Sequence, residues 1–92
     1  MKQYETALSF GLQAVTYILT EDALRERFLT LSGLSSGEIR TRIEKPDFLA
    51  SALEFLINHD PDLIAFAESL NESPKTVVAA WRSLGGGVGQ EW

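Results

Sequence analysis

The most constraining stretch of this chain runs from Pro46 to Asn58: Pro-Asp-Phe-Leu-Ala-Ser-Ala-Leu-Glu-Phe-Leu-Ile-Asn. Read as a helix, its polar residues Asp47, Ser51, Glu54 and Asn58 recur at the three- and four-residue spacings that place them on one narrow stripe. Phe48, Leu49, Ala50, Ala52, Leu53, Phe55, Leu56 and Ile57 cover every other face. Water cannot surround such an element, so other elements must. The stretch is therefore expected to be the central post of a small all-α domain.

The flanks supply helices to enclose it. Tyr4, Leu8, Leu12, Val15 and Leu19 mark an amphipathic helix over residues 3–19, widened by Phe10, Ala14, Tyr17 and Ile18. Gly11 costs that helix about 1 kcal/mol relative to alanine, which a close helix crossing would compensate. Thr20 is the expected N-cap of a second helix, with Glu21 and Asp22 at its positive dipole end. Leu24, Phe28 and Leu31 form its inward stripe, and Gly33 suits a left-handed C-terminal cap. Ser35-x-x-Glu38 is a capping box that opens a third helix, which turns only Ile39 and Ile43 inward. Pro46 ends it, because the residue before a proline disfavours helical geometry. The three prolines all look like helix starters. Asp60-Pro61 and Ser73-Pro74 pair a capping residue with proline at the first helical position. A fifth helix, about 61–70, carries Leu63, Ile64, Phe66, Ala67 and Leu70 as its apolar set. A sixth, about 74–84, turns Val77, Ala80, Trp81 and Leu84 inward. The expected architecture is a compact single-domain bundle of five to six short helices around residues 46–58. The helical domain covers 1–84 and a glycine-rich tail covers 85–92. At 92 residues the chain buries about 60–65% of its unfolded surface, enough for one modest core.

Phe28-Leu29, Ser32-Gly33, Arg40, Pro46-x-Phe48-Leu49, Leu53-x-Phe55-Leu56, Asp60 and Phe66 together resemble a small family from alphaproteobacteria known only as a domain of unknown function. The resemblance runs from about residue 7 to residue 87, loosely to Trp92, and is most specific between Pro46 and Phe66. It implies an all-helical fold of this length and brings no activity, ligand or catalytic residue with it. Asn71-Glu72-Ser73 departs from the small-residue turn usual in that family.

Several function classes are excluded or disfavoured by content. The absence of cysteine removes disulfide and thiolate chemistry and suits a reducing, cytoplasmic setting. No apolar run reaches the length of a membrane span, and the N-terminal residues lack the signal-peptide pattern. The net charge is −5, unevenly spread: residues 46–72 hold Asp47, Glu54, Asp60, Asp62, Glu68 and Glu72 with no Lys or Arg. Most cations, Arg25, Arg27, Arg40, Arg42 and Lys45, fall between residues 25 and 45. Arg25 and Arg27 diverge by roughly 200° on a helix, as do Arg40 and Arg42, so no phosphate track is implied. A pair such as Glu38 with Arg42 is the simpler account of those charges.

Motif by motif, the chemistry thins out. Residues 67–84 resemble a helix-turn-helix, with Asn71 suited to the left-handed turn and Ser73 capping the second helix. Lys75 and Arg82 are the candidate DNA contacts, too few for strong phosphate binding beside the carboxylates of residues 60–72. Nucleic acid is therefore a disfavoured partner. His59, the only histidine, lies at the end of the central stretch, where the helix dipole favours an imidazolium. Asp60 and Asp62 lack the further ligands a metal needs. Gly85-Gly86-Gly87-Val88-Gly89 follows a helix instead of preceding one, so it is a stop and a tether, not a phosphate loop. No catalytic, cofactor or metal residues are assigned. The surplus of apolar residues on short helices points instead to an exposed partner surface, with Tyr4, Phe10, Tyr17, Trp81 and Trp92 as its candidates. The expected role is a non-enzymatic interaction or accessory domain. Its partner is an unidentified protein or a second copy, and helix-turn-helix DNA binding is the rival.

Overall fold

Several helices of this chain start or stop on a local signal, and the computed structural model shows them over residues 2–86, with side chains described from Tyr4 onward. The helices are α1 Lys2–Thr20, α2 Asp22–Ser32, α3 Ser36–Arg42, α4 Pro46–Ile57, α5 Asp60–Ser69 and α6 Pro74–Ser83. No strand occurs among the described residues.

The capping box at α3 forms in full. Glu38 N–H donates to Ser35 Oγ at 3.2 Å, and Ser35 N–H donates to Glu38 Oε1 at 2.9 Å. The Ser35 backbone bond, then the Ser35 hydroxyl, hold the Glu38 carboxyl below its ordinary value, with a smaller contribution from Arg42. Ser73 caps α6 by accepting from Thr76 N–H at 3.3 Å. Two of the expected caps are displaced. Thr20 ends α1 instead of opening α2, because its hydroxyl donates back to the carbonyls of Thr16 and Tyr17, each at 3.0 Å. Glu21 is the α2 N-cap. Likewise His59, not Asp60, is the N-cap of α5: its carbonyl accepts from Asp62 and Leu63 N–H at 2.9 and 3.1 Å.

The last two helices end alike. Asn71 takes the left-handed conformation (φ 57°), its N–H bonds to Glu68 O, and Glu72 N–H bonds to Ala67 O. Gly85 (φ 95°) bonds to Arg82 O, and Gly86 N–H bonds to Trp81 O. Both are Schellman caps. At the second, the half-buried Trp81 ring lies against Gly86, where an added Cβ would fall 2.3 Å from indole atoms.

The centre of the fold is a helix pair rather than a single post. α4 packs on α1, α5 and α6, and α1 packs on α2, α4 and α6. On α4 Phe48, Leu49, Ala50, Ala52, Leu53 and Leu56 are buried as expected, whereas Phe55 and Ile57 are half-buried and Asp47, Ser51 and Asn58 face water. On α1 the buried stripe is Ala7, Phe10, Gly11, Ala14, Val15 and Ile18. Tyr4 and Leu12, assigned to the apolar stripe from spacing, are each 43% exposed. Within the buried stripe, Gly11 admits the close approach of α4. A Cβ at Gly11 would lie 2.7 Å from Leu49 Cβ, so only glycine permits this α1–α4 distance without rearrangement. The expected close crossing is therefore present.

Around this pair, Phe28 of α2 meets Phe48 and Phe55 edge-on at 6.0 and 5.2 Å between ring centres. α3 contributes buried Ile39. Leu31 and Ile64 do not enter the core: Leu31 is 72% exposed and Ile64 47% exposed. The last turn of α2 overhangs the cleft beside Phe55, and the neighbours of α5, namely α4 and α6, bury Leu63, Phe66 and Ala67 but leave Ile64 outward. No described helix is long and apolar enough to cross a membrane. The last residues of the expected tail, Gly87 to Trp92, lie outside the described residues.

Candidate functional site

A polar cluster forms where α2, α4 and α5 converge. Asp62 accepts from Arg27 and lies 2.9 Å from His59 Nδ1. The Arg27 guanidinium also stands over the Phe55 ring, 4.8 Å from its centre. The cluster therefore ties α2 to α5 across the α4 aromatic, with Asp62 serving as the shared acceptor. His59 is thus engaged with a carboxylate. Among the described residues no three His, Asp or Glu side chains are placed to hold a metal.

A different surface opens between α1 and α5. Each of these helices packs on both α4 and α6, but they do not pack along one another. They meet where Tyr17 and Phe66 touch, with ring centres 5.3 Å apart and planes tilted by 58°. Beside that contact lies an open groove of about 370 Å³. Leu12, Tyr17, Phe66 and Leu70 give its apolar lining, and Gln13, Thr16, Thr20 and Ser69 complete it.

The Thr and Ser hydroxyls of this groove and one Gln13 N–H donate within their own helices. Thr16 Oγ1 donates to Leu12 O at 3.1 Å, Thr20 Oγ1 to its own helix, and Ser69 Oγ to Phe66 O at 2.6 Å. Gln13 Nε2 donates to Ser9 Oγ at 3.1 Å. Hydroxyls turned back on their own carbonyls present methyl and methylene carbon outward, so the groove is more apolar than its sequence reads. Partial burial raises the Tyr17 hydroxyl above its ordinary value, and the charges of Glu21 and Asp62 add to the effect.

The candidate partner residues do not gather in one place. Tyr4 is exposed at the start of α1. Phe10 is buried and shows only an edge, in a smaller cleft of about 170 Å³ between α1 and α6. Tyr17 belongs to the α1–α5 groove. Trp81 rests on Gly86. Trp92 lies outside the described residues. Spacing alone missed Leu12, Thr16, Phe66 and Leu70 as groove residues: Thr16 read as solvent face, and Phe66 and Leu70 as core.

The candidate DNA contacts Lys75 and Arg82 are exposed on α6, seven residues apart on one face. Arg82 lies 5.8 Å from the Trp81 ring centre. Asn71 does take the left-handed turn expected between α5 and α6. Of the other cations, Arg25 pairs with Asp22 at 3.1 Å and donates to Leu19 O, while Arg27 pairs with Asp62. Among the described residues Glu38 makes no ion pair with Arg42; its carboxylate is taken by the capping box.

Comparison with known proteins fits this picture of a fold without a borrowed site. The family model described as "Protein of unknown function (DUF3572)" matches residues 4–87, and the chain belongs to that family. No curated protein and no solved structure matches it.

Proposed function

We propose that this DUF3572 member is a small non-enzymatic interaction domain of the cytoplasm, and that the α1–α5 groove is its working surface. The observation that carries this reading is the groove itself, a mostly apolar channel whose Thr16 and Ser69 hydroxyls and Gln13 Nε2 donate within their own helices. A catalytic site needs titratable or nucleophilic groups converging on a common point. Here Tyr17 is the one titratable residue in the groove lining, and Asp62 is engaged with Arg27 and His59. An apolar surface left uncovered on a domain with a filled core favours a protein partner.

A photo-crosslinking residue at Thr16 tests the reading in cells, with the same residue at Thr41 on α3 as the control. A discrete adduct at Thr16 and none at Thr41 is expected. Equal labelling, or none at Thr16, contradicts the groove as the working surface.

The helix-turn-helix reading keeps one observation in its favour, the left-handed turn at Asn71 between two packed helices. Glu68 and Glu72 beside that turn work against phosphate contact. Binding to random duplex DNA that rises steeply as salt is lowered would support it over the groove.

A further inference from the structure

A second channel runs along the polar stripe of α4. Three adjoining clefts, of about 410, 280 and 380 Å³, form it between α2 and α4. The first two share Ser32 and Ser51, and the last two share Leu31, Phe55 and Asn58, so they make one trench. Asp47, Ser51, Glu54 and Asn58, the stripe that α4 leaves outside the core, line it from end to end. From Asp47 to Asn58 the helix rises about 16 Å, the length of about five residues of extended chain. In the middle, Leu31 of α2, 72% exposed, stands beside half-buried Phe55, which Phe28 meets edge-on.

Charge is ordered along this trench. Arg42 and Lys45 line the end near α3, against one carboxylate, Asp47. Glu54 lines the middle. Arg27 and His59 line the far end, where Asp62 engages both. Arg42, Lys45, Asp47 and Glu54 belong to no ion pair among the described residues.

These unspent groups set the form of the occupant. A helix satisfies its own backbone and asks a groove mainly for apolar surface. An extended chain keeps N–H and C=O groups that need partners. Here the Asp47 and Glu54 carboxylates can accept N–H groups, and the Asn58 amide can donate and accept, in a row as long as one short extended segment. From Asp47 to Phe55 the rise is about 12 Å, or about four extended residues, an even number that turns both side chains to the same side. The longest connection between described helices, residues 70–73, has four residues, so a second copy offers no described non-helical segment of the trench's length.

We propose that the α2–α4 trench binds an extended segment of another protein, an acidic side chain between Arg42 and Lys45 and, four residues away, an apolar side chain between Leu31 and Phe55. The cation pair sets the direction of the segment, and the apolar anchor sets its residence. This surface is separate from the α1–α5 groove: no residue lines both, and Thr41 lines neither.

The test titrates the ¹⁵N-labelled intact chain with capped seven-residue peptides at low salt. The first has Asp at its second position, Phe at its sixth, Thr elsewhere and a central Pro that bars a helix. A second replaces Asp by Lys, and a third replaces Phe by Ala. The first is expected to bind at least fivefold tighter than either, with amide shifts on Leu31, Ser32, Ser51, Phe55 and Asn58. Leu31→Asp, at an exposed position, is expected to weaken it about tenfold. Arg42→Glu with Lys45→Glu is expected to reverse the preference, so that the Lys peptide binds tighter than the Asp peptide. Lys45→Glu alone serves should the double variant lower the melting temperature, and it should narrow the difference. Thr16→Trp, which fills the α1–α5 groove, is expected to change nothing. Equal binding of the Asp and Lys peptides overturns the charge order and with it the proposal. Binding that ignores Leu31→Asp, or is lost in Thr16→Trp, overturns the trench as its seat. Binding by none of the peptides overturns the proposal, while Thr16 crosslinking still decides the groove reading. Self-association of the chain lost in Leu31→Asp makes the occupant a second copy and overturns it as well.

Discussion

Helix α1 meets α4 and α5 on opposite terms. Toward α4 it offers Gly11, and the backbones approach until no Cβ fits there. Toward α5 it offers Leu12, Thr16 and Thr20 around Tyr17, and only the Tyr17–Phe66 contact closes the gap. Small residues let two helices merge into one core; larger ones in local hydrogen bonds hold the helices apart and leave a groove. One helix thus serves as core on one face and as candidate docking surface on another. Stability and interaction should then be separable by mutation.

The largest test falls on the core side. Leu53→Asp places a carboxylate where exposure is zero. The desolvation cost, of order several kcal/mol, is comparable with the 5–15 kcal/mol typical of a whole domain. The variant should lose its helical circular-dichroism signal; a cooperative melt like that of the parent would break the assignment of α4 as core. Gly11→Ala comes next. Alanine gains about 1 kcal/mol of helix propensity, yet its Cβ must push Leu49 aside, an overpacking cost of about 1–3 kcal/mol. A net lower melting temperature is expected, and a higher one would show that α1 and α4 have room to spare.

Smaller effects sharpen the comparison at the surface. Glu38→Ala removes one half of the α3 capping box and should lower the melting temperature at neutral pH. Because the folded state holds this carboxyl below its ordinary value of 4.5, the unfolded chain takes up the proton first on acidification. Its stabilisation is present above that value and is lost as pH falls through the lowered one. The gap between parent and variant should therefore shrink in melts run below pH 4.5. Leu12→Lys, on the groove side of the helix that holds Gly11, should change stability by no more than about 0.5 kcal/mol. A large loss there would mean that the groove belongs to the core.

The sequence discloses these two sides unequally. α4 is legible because its apolar residues leave only one stripe for Asp47, Ser51, Glu54 and Asn58, so burial has a single solution. The capping box at Ser35 and Glu38, the turn at Asn71 and the close approach at Gly11 are legible because each depends on one residue's chemistry. On α1 the spacing supports two overlapping stripes. Weighing them by side-chain size favours Tyr4, Leu8 and Leu12, whereas packing selects Ala7, Gly11 and Ala14. Leu31 and Ile64 follow the period of their helices but lack a neighbouring helix to cover them. The groove is hidden because it exists only once α1 and α5 are placed beside each other, and because Thr16, Thr20 and Ser69 look polar until their hydroxyls are seen turned inward. Thr20 misleads as a cap for the same reason.

The central claim, that α1 turns one face to the core and another to a partner, is met most directly by photo-crosslinking in cells from single positions scanned along the exposed residues of α1, α5 and α6, with Thr41 on α3 as the reference. Discrete adducts from Leu12, Gln13, Thr16 and Ser69, which line the groove, and none from Thr41 or from exposed positions on α6, are predicted. Adducts centred on Thr41 or α6, or equal from every exposed position, would contradict it.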